Sequence, residues 1–146
     1  MLSPEWIIKG IVKRGFDVLG SMKRILVIDD EDAARRVLTR ALKMYGYEVL
    51  EADDGVKGMR QCRETLPDAV ITDIFMPEQD GLETITAMRA QWPEIKIIAV
   101  SGGGNMGHLD ILHAARAMGA SKVLTKPFDL AEMKAVLEDV VGAPDS

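Results

Sequence analysis

Five times between Lys23 and Val141, a short apolar run rich in β-branched residues gives way to a segment whose apolar residues recur at helical spacing. This alternation constrains the fold most. Strands joined through helices run parallel, and a parallel sheet is covered by helices on both faces. Strands are read at residues 24–28, 48–52, 69–72, 96–100 and 122–125. The first helix carries Ala33, Ala34, Val37, Leu38, Ala41 and Leu42 on one face and stops near Gly46. Asp54 caps a second helix running to about Glu64, with Pro67 beyond it. Residues 82–91 and 109–118 are the third and fourth, the latter stopped by Gly119. Asp129 caps the fifth, where Leu130, Met133, Leu137, Val140 and Val141 share a face.

Hydrophobic residues make up 47% of the 146-residue chain, enough for the core of one such domain. The net charge of −5 argues against a general affinity for nucleic acid, which asks for a basic face. Cys62 is the only cysteine, so no internal disulfide or thiolate zinc site can form, and a reducing cytoplasm fits. It is read as a packed or half-exposed thiol. The nine methionines are read as core filler.

Residues 1–21 differ from the rest. Glu5, Lys9, Lys13, Arg14 and Asp17 interrupt the apolar residues, so no membrane span or signal peptide is read there, and no firm membrane association is expected. Ile8, Ile11, Val12 and Phe16 could share a helical face that docks on a partner. The preferred reading is that Met22 is the natural start and that residues 1–21 are an extension outside the native chain, because folding signals begin directly after Met22. Residues 142–146 are read as a tail.

In open parallel sheets the functional site lies beyond the carboxyl ends of the strands. The residues there are Asp29, Asp30, Asp73, Ser101 and Lys126: three carboxylates, a hydroxyl and an ammonium. Asp53 and Asp54 also follow a strand, but beside Gly55 they read as turn and cap residues. Three converging carboxylates repel one another without a cation, and an all-oxygen donor set suits Mg²⁺. A carboxylate can attack phosphorus and form an acyl phosphate. Phosphoryl transfer then asks mainly for position and positive charge, which a metal ion and Lys126 would supply. Taken singly, each residue has an ordinary structural reading as a turn, cap or loop residue. Their joint placement at strand ends carries the argument. His108 and His113 are read as surface residues, since a spacing of five suits no single helical face.

Four motifs now stand together: Ile28-Asp29-Asp30-Glu31, the run from Asp73 to Gly81, Val100-Ser101, and Lys126-Pro127-Phe128. With them, residues 22–141 resemble a response-regulator receiver domain, of the kind found in chemotaxis regulators and at the front of many transcription factors. The resemblance implies a flavodoxin-like doubly wound sheet of five parallel strands in the order 2-1-3-4-5 with five helices. It implies that Asp73 is the phosphoacceptor, loaded by a sensor histidine kinase or a histidine phosphotransfer protein. It implies that Asp29, Asp30, Asp73 and the backbone carbonyl of Phe75 bind Mg²⁺, that Ser101 and Lys126 contact the phosphoryl group, and that Pro127 follows a cis peptide. The output face it implies is the fourth helix, fifth strand and fifth helix.

Two departures from the family pattern bear on the switch. Val123 stands where the family carries Phe or Tyr, and the loop after Ser101 holds Gly102, Gly103, Gly104 and Gly107. Transmission is therefore expected through that loop and the fourth helix. Phe75 and Gly103 stand where the family places polar side chains that orient hydrolytic water, so slow dephosphorylation is expected. The chain is read as a stand-alone receiver that signals by binding other proteins, with no enzymatic activity beyond gaining and losing its own phosphoryl group. Two other classes fit less well. A flavodoxin-like cofactor binder would rest on the weak signal of the glycine loop. A haloacid-dehalogenase-type phosphatase would need a second Asp where Phe75 stands.

Overall fold

The computed structural model describes residues 22–75, 81–102 and 108–144. Residues 1–21, the middle of the Asp73–Gly81 motif and residues 103–107 of the glycine loop lie outside the described residues. Among the described residues five strands alternate with five helices. The strands are β1 (Arg24–Ile28), β2 (Glu48–Ala52), β3 (Ala69–Asp73), β4 (Lys96–Gly102) and β5 (Lys122–Lys126). The helices are α1 (Asp32–Tyr45), α2 (Gly55–Glu64), α3 (Gly81–Gln91), α4 (His108–Met118) and α5 (Leu130–Val141). All strand pairs are parallel, and the order is β2-β1-β3-β4-β5, the flavodoxin-like arrangement. No helix among the described residues is long and apolar enough to cross a membrane.

The strand pleat sorts the core into two layers, because successive side chains point to opposite faces. Leu26, Ile28, Val70, Ile97 and Ala99 meet Cys62 of α2, Ile85 and Met88 of α3, and Ala115 of α4. Ile25, Val27, Ile71, Ile98 and Val100 meet Leu38 and Leu42 of α1 and Met133 and Leu137 of α5. Buried strands with apolar residues on both faces are what the near-continuous apolar runs specify.

Local chemistry sets the helix ends. Gly46 stops α1 at φ 106°, a left-handed conformation that only glycine adopts without strain, and its N–H donates to the carbonyls of Leu42 and Lys43. The Asp54 carboxylate accepts from Lys57 N at 2.7 Å, and that of Asp129 from Glu132 N at 2.7 Å. Each such cap contributes about 1 kcal/mol. Three strands run further than their apolar pattern suggests: β3 continues to Asp73, β4 through Ser101 to Gly102, and β5 through Lys126. The pairing of Ser101 with Thr125 and of Gly102 with Lys126 supplies backbone hydrogen bonds that side-chain propensity does not announce.

Candidate functional site

β1 and β3 are neighbours, and their carboxyl ends deliver the acidic residues to one point. Asp29 directly follows β1, with its N–H donating to Ala52 O of β2 at 3.1 Å. Its carboxylate turns back to accept from Glu31 N at 2.9 Å and is largely buried. Asp30, next in the chain, is exposed. Asp73 is the last residue of β3 and buried. One of its oxygens, Oδ1, accepts from Phe75 N at 3.0 Å, and the other, Oδ2, from Lys126 Nζ at 3.1 Å. Carboxylate oxygens of Asp29, Asp30 and Asp73 lie within 4.8 Å of one another.

Lys126 closes the site from the end of β5. Its Nζ is also 3.9 Å from Asp29 Oδ2, and the peptide to Pro127 is cis. Burial works against its charge, but the hydrogen bond to Asp73 and the nearby charges of Asp73, Asp29 and Glu31 outweigh that and hold its pKa above the ordinary lysine value. Asp29 is pushed the other way from the usual buried-pair pattern: burial raises its pKa, with the neighbouring Asp73 and Asp30 charges adding, against the Glu31 N–H and Lys126. The site thus holds a firm cation beside an Asp29 carboxylate that burial and its neighbours disfavour as an anion.

Ser101 is buried in β4, one step beyond Val100, the register partner of Asp73. Phe75 is 40% exposed. Val123 pairs with Ala99 in register and packs, partly buried, against the layer that includes Ala115 of α4. Gly81 starts α3 in close contact with the acceptor strand: its N–H donates to Ile74 O at 3.0 Å, and a Cβ there would lie 2.6 Å from Ile74 Cα and collide with Asp73 O. No side chain fits, which accounts for the glycine at that end of the motif.

Two features were not legible in the sequence. One is a largely apolar cavity of about 640 Å³ beside the acceptor, reaching from Asp73 and Lys126 to Ala34, Val37, Phe128 and Leu130. The two small alanines in the first turn of α1 are its only sequence signal. The other is Arg35, whose guanidinium donates to Asp29 O at 2.7 Å.

The donor set fits a small hard cation. An octahedral Mg²⁺ with ligands at about 2.1 Å holds neighbouring oxygens about 3 Å apart and opposite ones about 4.2 Å apart. The carboxylate oxygens of Asp29, Asp30 and Asp73, all within 4.8 Å of one another, are near enough to be drawn together onto one such ion. Receiver domains typically bind Mg²⁺ at such an acidic pocket, and a divalent ion would offset both the burial and the like charges that raise the Asp29 pKa.

Residues 25–138 match the family model of the response regulator receiver domain. The chain is 38% identical over 115 residues to the transcriptional regulatory protein PrrA of Mycobacterium leprae, covering 79% of this chain and 48% of that protein. It thus spans about half the length of that relative. To a probable chemotaxis protein CheY of Rhizobium etli it is 35% identical over 121 residues, covering 82% of this chain and 93% of that one. Among solved structures, a response regulator receiver domain protein from Clostridium thermocellum superimposes with a TM-score of 0.76 at 30% identity, over 82% of this chain and 94% of that one. The receiver domain of NtrX from Brucella abortus does so with a TM-score of 0.74 at 28% identity, over 80% and 97%. Fold, acidic strand-end cluster and sequence agree, and the chain belongs to the response regulator receiver domain family, the two-component signalling modules that take a phosphoryl group on an aspartate.

Proposed function

We propose that Asp73 is the phosphoacceptor and that residues 22–141 form the receiver. The observation that carries this is the position of its carboxylate: buried at a strand end, held by the Phe75 N–H and the Lys126 ammonium, with two further carboxylates within 4.8 Å. Those two bonds orient the carboxylate toward an incoming phosphorus. Attack by an Asp73 oxygen forms the new O–P bond while the donor's bond to phosphorus breaks, and the donor leaves with the electron pair. Lys126 moves from the carboxylate to a phosphoryl oxygen, and Ser101 donates a hydrogen bond to another. Mg²⁺, held by Asp29, Asp30, Asp73 and the Phe75 carbonyl, would supply the remaining positive charge. The donor is a sensor histidine kinase or a histidine phosphotransfer protein, and small acyl phosphates serve in vitro. Hydrolysis of the acyl phosphate resets the protein. The output is altered binding to a protein partner on the face of α4, β5 and α5, in the cytoplasm and without nucleic-acid contact by this domain.

Incubation with acetyl phosphate and Mg²⁺ should add a single phosphoryl group by intact mass, and Asp73→Asn should abolish the addition. Persistence of the label in that variant would overturn the assignment.

A further inference from the structure

Arg35 lies in the first turn of α1, with its side chain only 13% exposed. Each nitrogen of its guanidinium is engaged: Nη1 donates to Asp29 O at 2.7 Å, Nη2 to Asp32 Oδ1 at 2.7 Å, and Nε to Glu51 Oε1 at 3.2 Å. A surface helix pair would need only Asp32, three residues earlier. Here the fork also reaches the edge strand β2 and turns back onto the loop that leaves β1.

We infer that Arg35 is a positioning residue for the cation site, an inference that rests on the reading of the acidic cluster as that site. The peptide joining Asp29 to Asp30 is planar, so holding the Asp29 carbonyl fixes the rotation of the whole unit. That rotation sets the direction of the Cβ atoms on both sides, and hence where the Asp29 and Asp30 carboxylates meet Asp73. The rigid planar fork suits this task, because one group satisfies three acceptors from three elements at fixed angles.

Charge and position predict opposite signs. Arg35 is paired with two carboxylates, so the local group of Arg35, Asp32 and Glu51 already carries one net negative charge. Deleting the guanidinium leaves two, which by Coulomb attraction alone would tighten a nearby divalent cation. Loss of positioning loosens it.

Titration calorimetry of Mg²⁺ into the purified chain decides between them. Arg35→Met is expected to weaken binding roughly tenfold, the scale seen when outer supports of metal ligands are removed. Arg35→Lys is expected to weaken it as well, since one ammonium cannot span the three acceptors. Glu51→Gln keeps an oxygen for Nε and is expected to bind Mg²⁺ nearly as wild type does, well short of the roughly tenfold loss in Arg35→Met. At saturating Mg²⁺ the phosphorylation rate of the Arg35 variants should return to near the wild-type plateau, so that the half-saturating Mg²⁺ concentration moves and the plateau does not. Equal or tighter Mg²⁺ binding in Arg35→Met overturns the inference, and if that variant does not fold, unchanged binding in Arg35→Lys does so. Absence of Mg²⁺ binding by the wild-type chain would overturn the metal-site reading, and this inference with it.

Discussion

At the residue scale, two features of the site have measurable consequences. Burial and like charges raise the pKa of Asp29, so its carboxyl binds a proton more readily in the fold than in the unfolded chain. A raised carboxyl pKa contributes stability that is fully present below the ordinary carboxylate value and is lost as the pH rises through the raised value. At neutral pH the ionised cluster therefore costs the metal-free fold stability. Asp29→Asn removes that charge while keeping an oxygen for the Glu31 N–H. The metal-free variant should melt about 2–5 °C higher than wild type at pH 7, with the gain shrinking toward pH about 4. It should also lose the stabilisation that Mg²⁺ gives wild type. Thermal melts followed by circular dichroism check this, and a lower melting temperature at pH 7 would contradict it. Phe75 bears on the lifetime of the acyl phosphate. Its apolar ring, 40% exposed at the acceptor, offers no group to orient an attacking water. The phosphorylated protein should persist for minutes or longer, and Phe75→Asn should shorten that lifetime severalfold, as followed by intact mass over time. Loss within seconds in the wild type would rule this out.

At the element scale, the C-terminal end of α4 is tied to α3. The Arg89 guanidinium of α3 donates to Gly119 O, directly after α4, at 3.2 and 2.8 Å, and Met118 Sδ lies 3.2 Å from Thr86 Oγ1, whose proton goes to Leu82 O at 2.8 Å. These contacts pin the C-terminal end of α4 to α3. The N-terminal end follows residues 103–107, which succeed Ser101 and Gly102 at the end of β4. Val123, packed against the layer that includes Ala115, is β-branched and has few χ1 states, so its rotation moves little surface. A pull on Ser101 toward a phosphoryl group would reach the N-terminal end of α4 first, pivoting it about the end tied to α3. Hydrogen exchange with and without beryllofluoride should therefore show protection rising in the first two turns of α4, with the last turn nearly unchanged. Equal change along the helix, or none, would refute the pivot.

At the scale of the whole molecule, the alternation of apolar runs and helical patterns sufficed for five strands and five helices, because pleat and helical period are read from near neighbours in the chain. The caps Asp54 and Asp129 and the stop at Gly46 were legible for the same reason. The rule that sites lie at strand ends brought Asp29, Asp30, Asp73, Ser101 and Lys126 into view without coordinates. The strand order entered through the resemblance to a family, since nothing in the alternation says which strands lie side by side. Only the tertiary structure decided what depends on that order. It split the core so that α1 and α5 share one face. It set Lys126 on Asp73 across 53 positions of sequence. It also opened the cavity behind the acceptor and turned Arg35 between Asp29 and Glu51. The physical reason is range: backbone preferences act over a few residues, whereas these contacts join groups made neighbours by strand pairing, which no local pattern encodes.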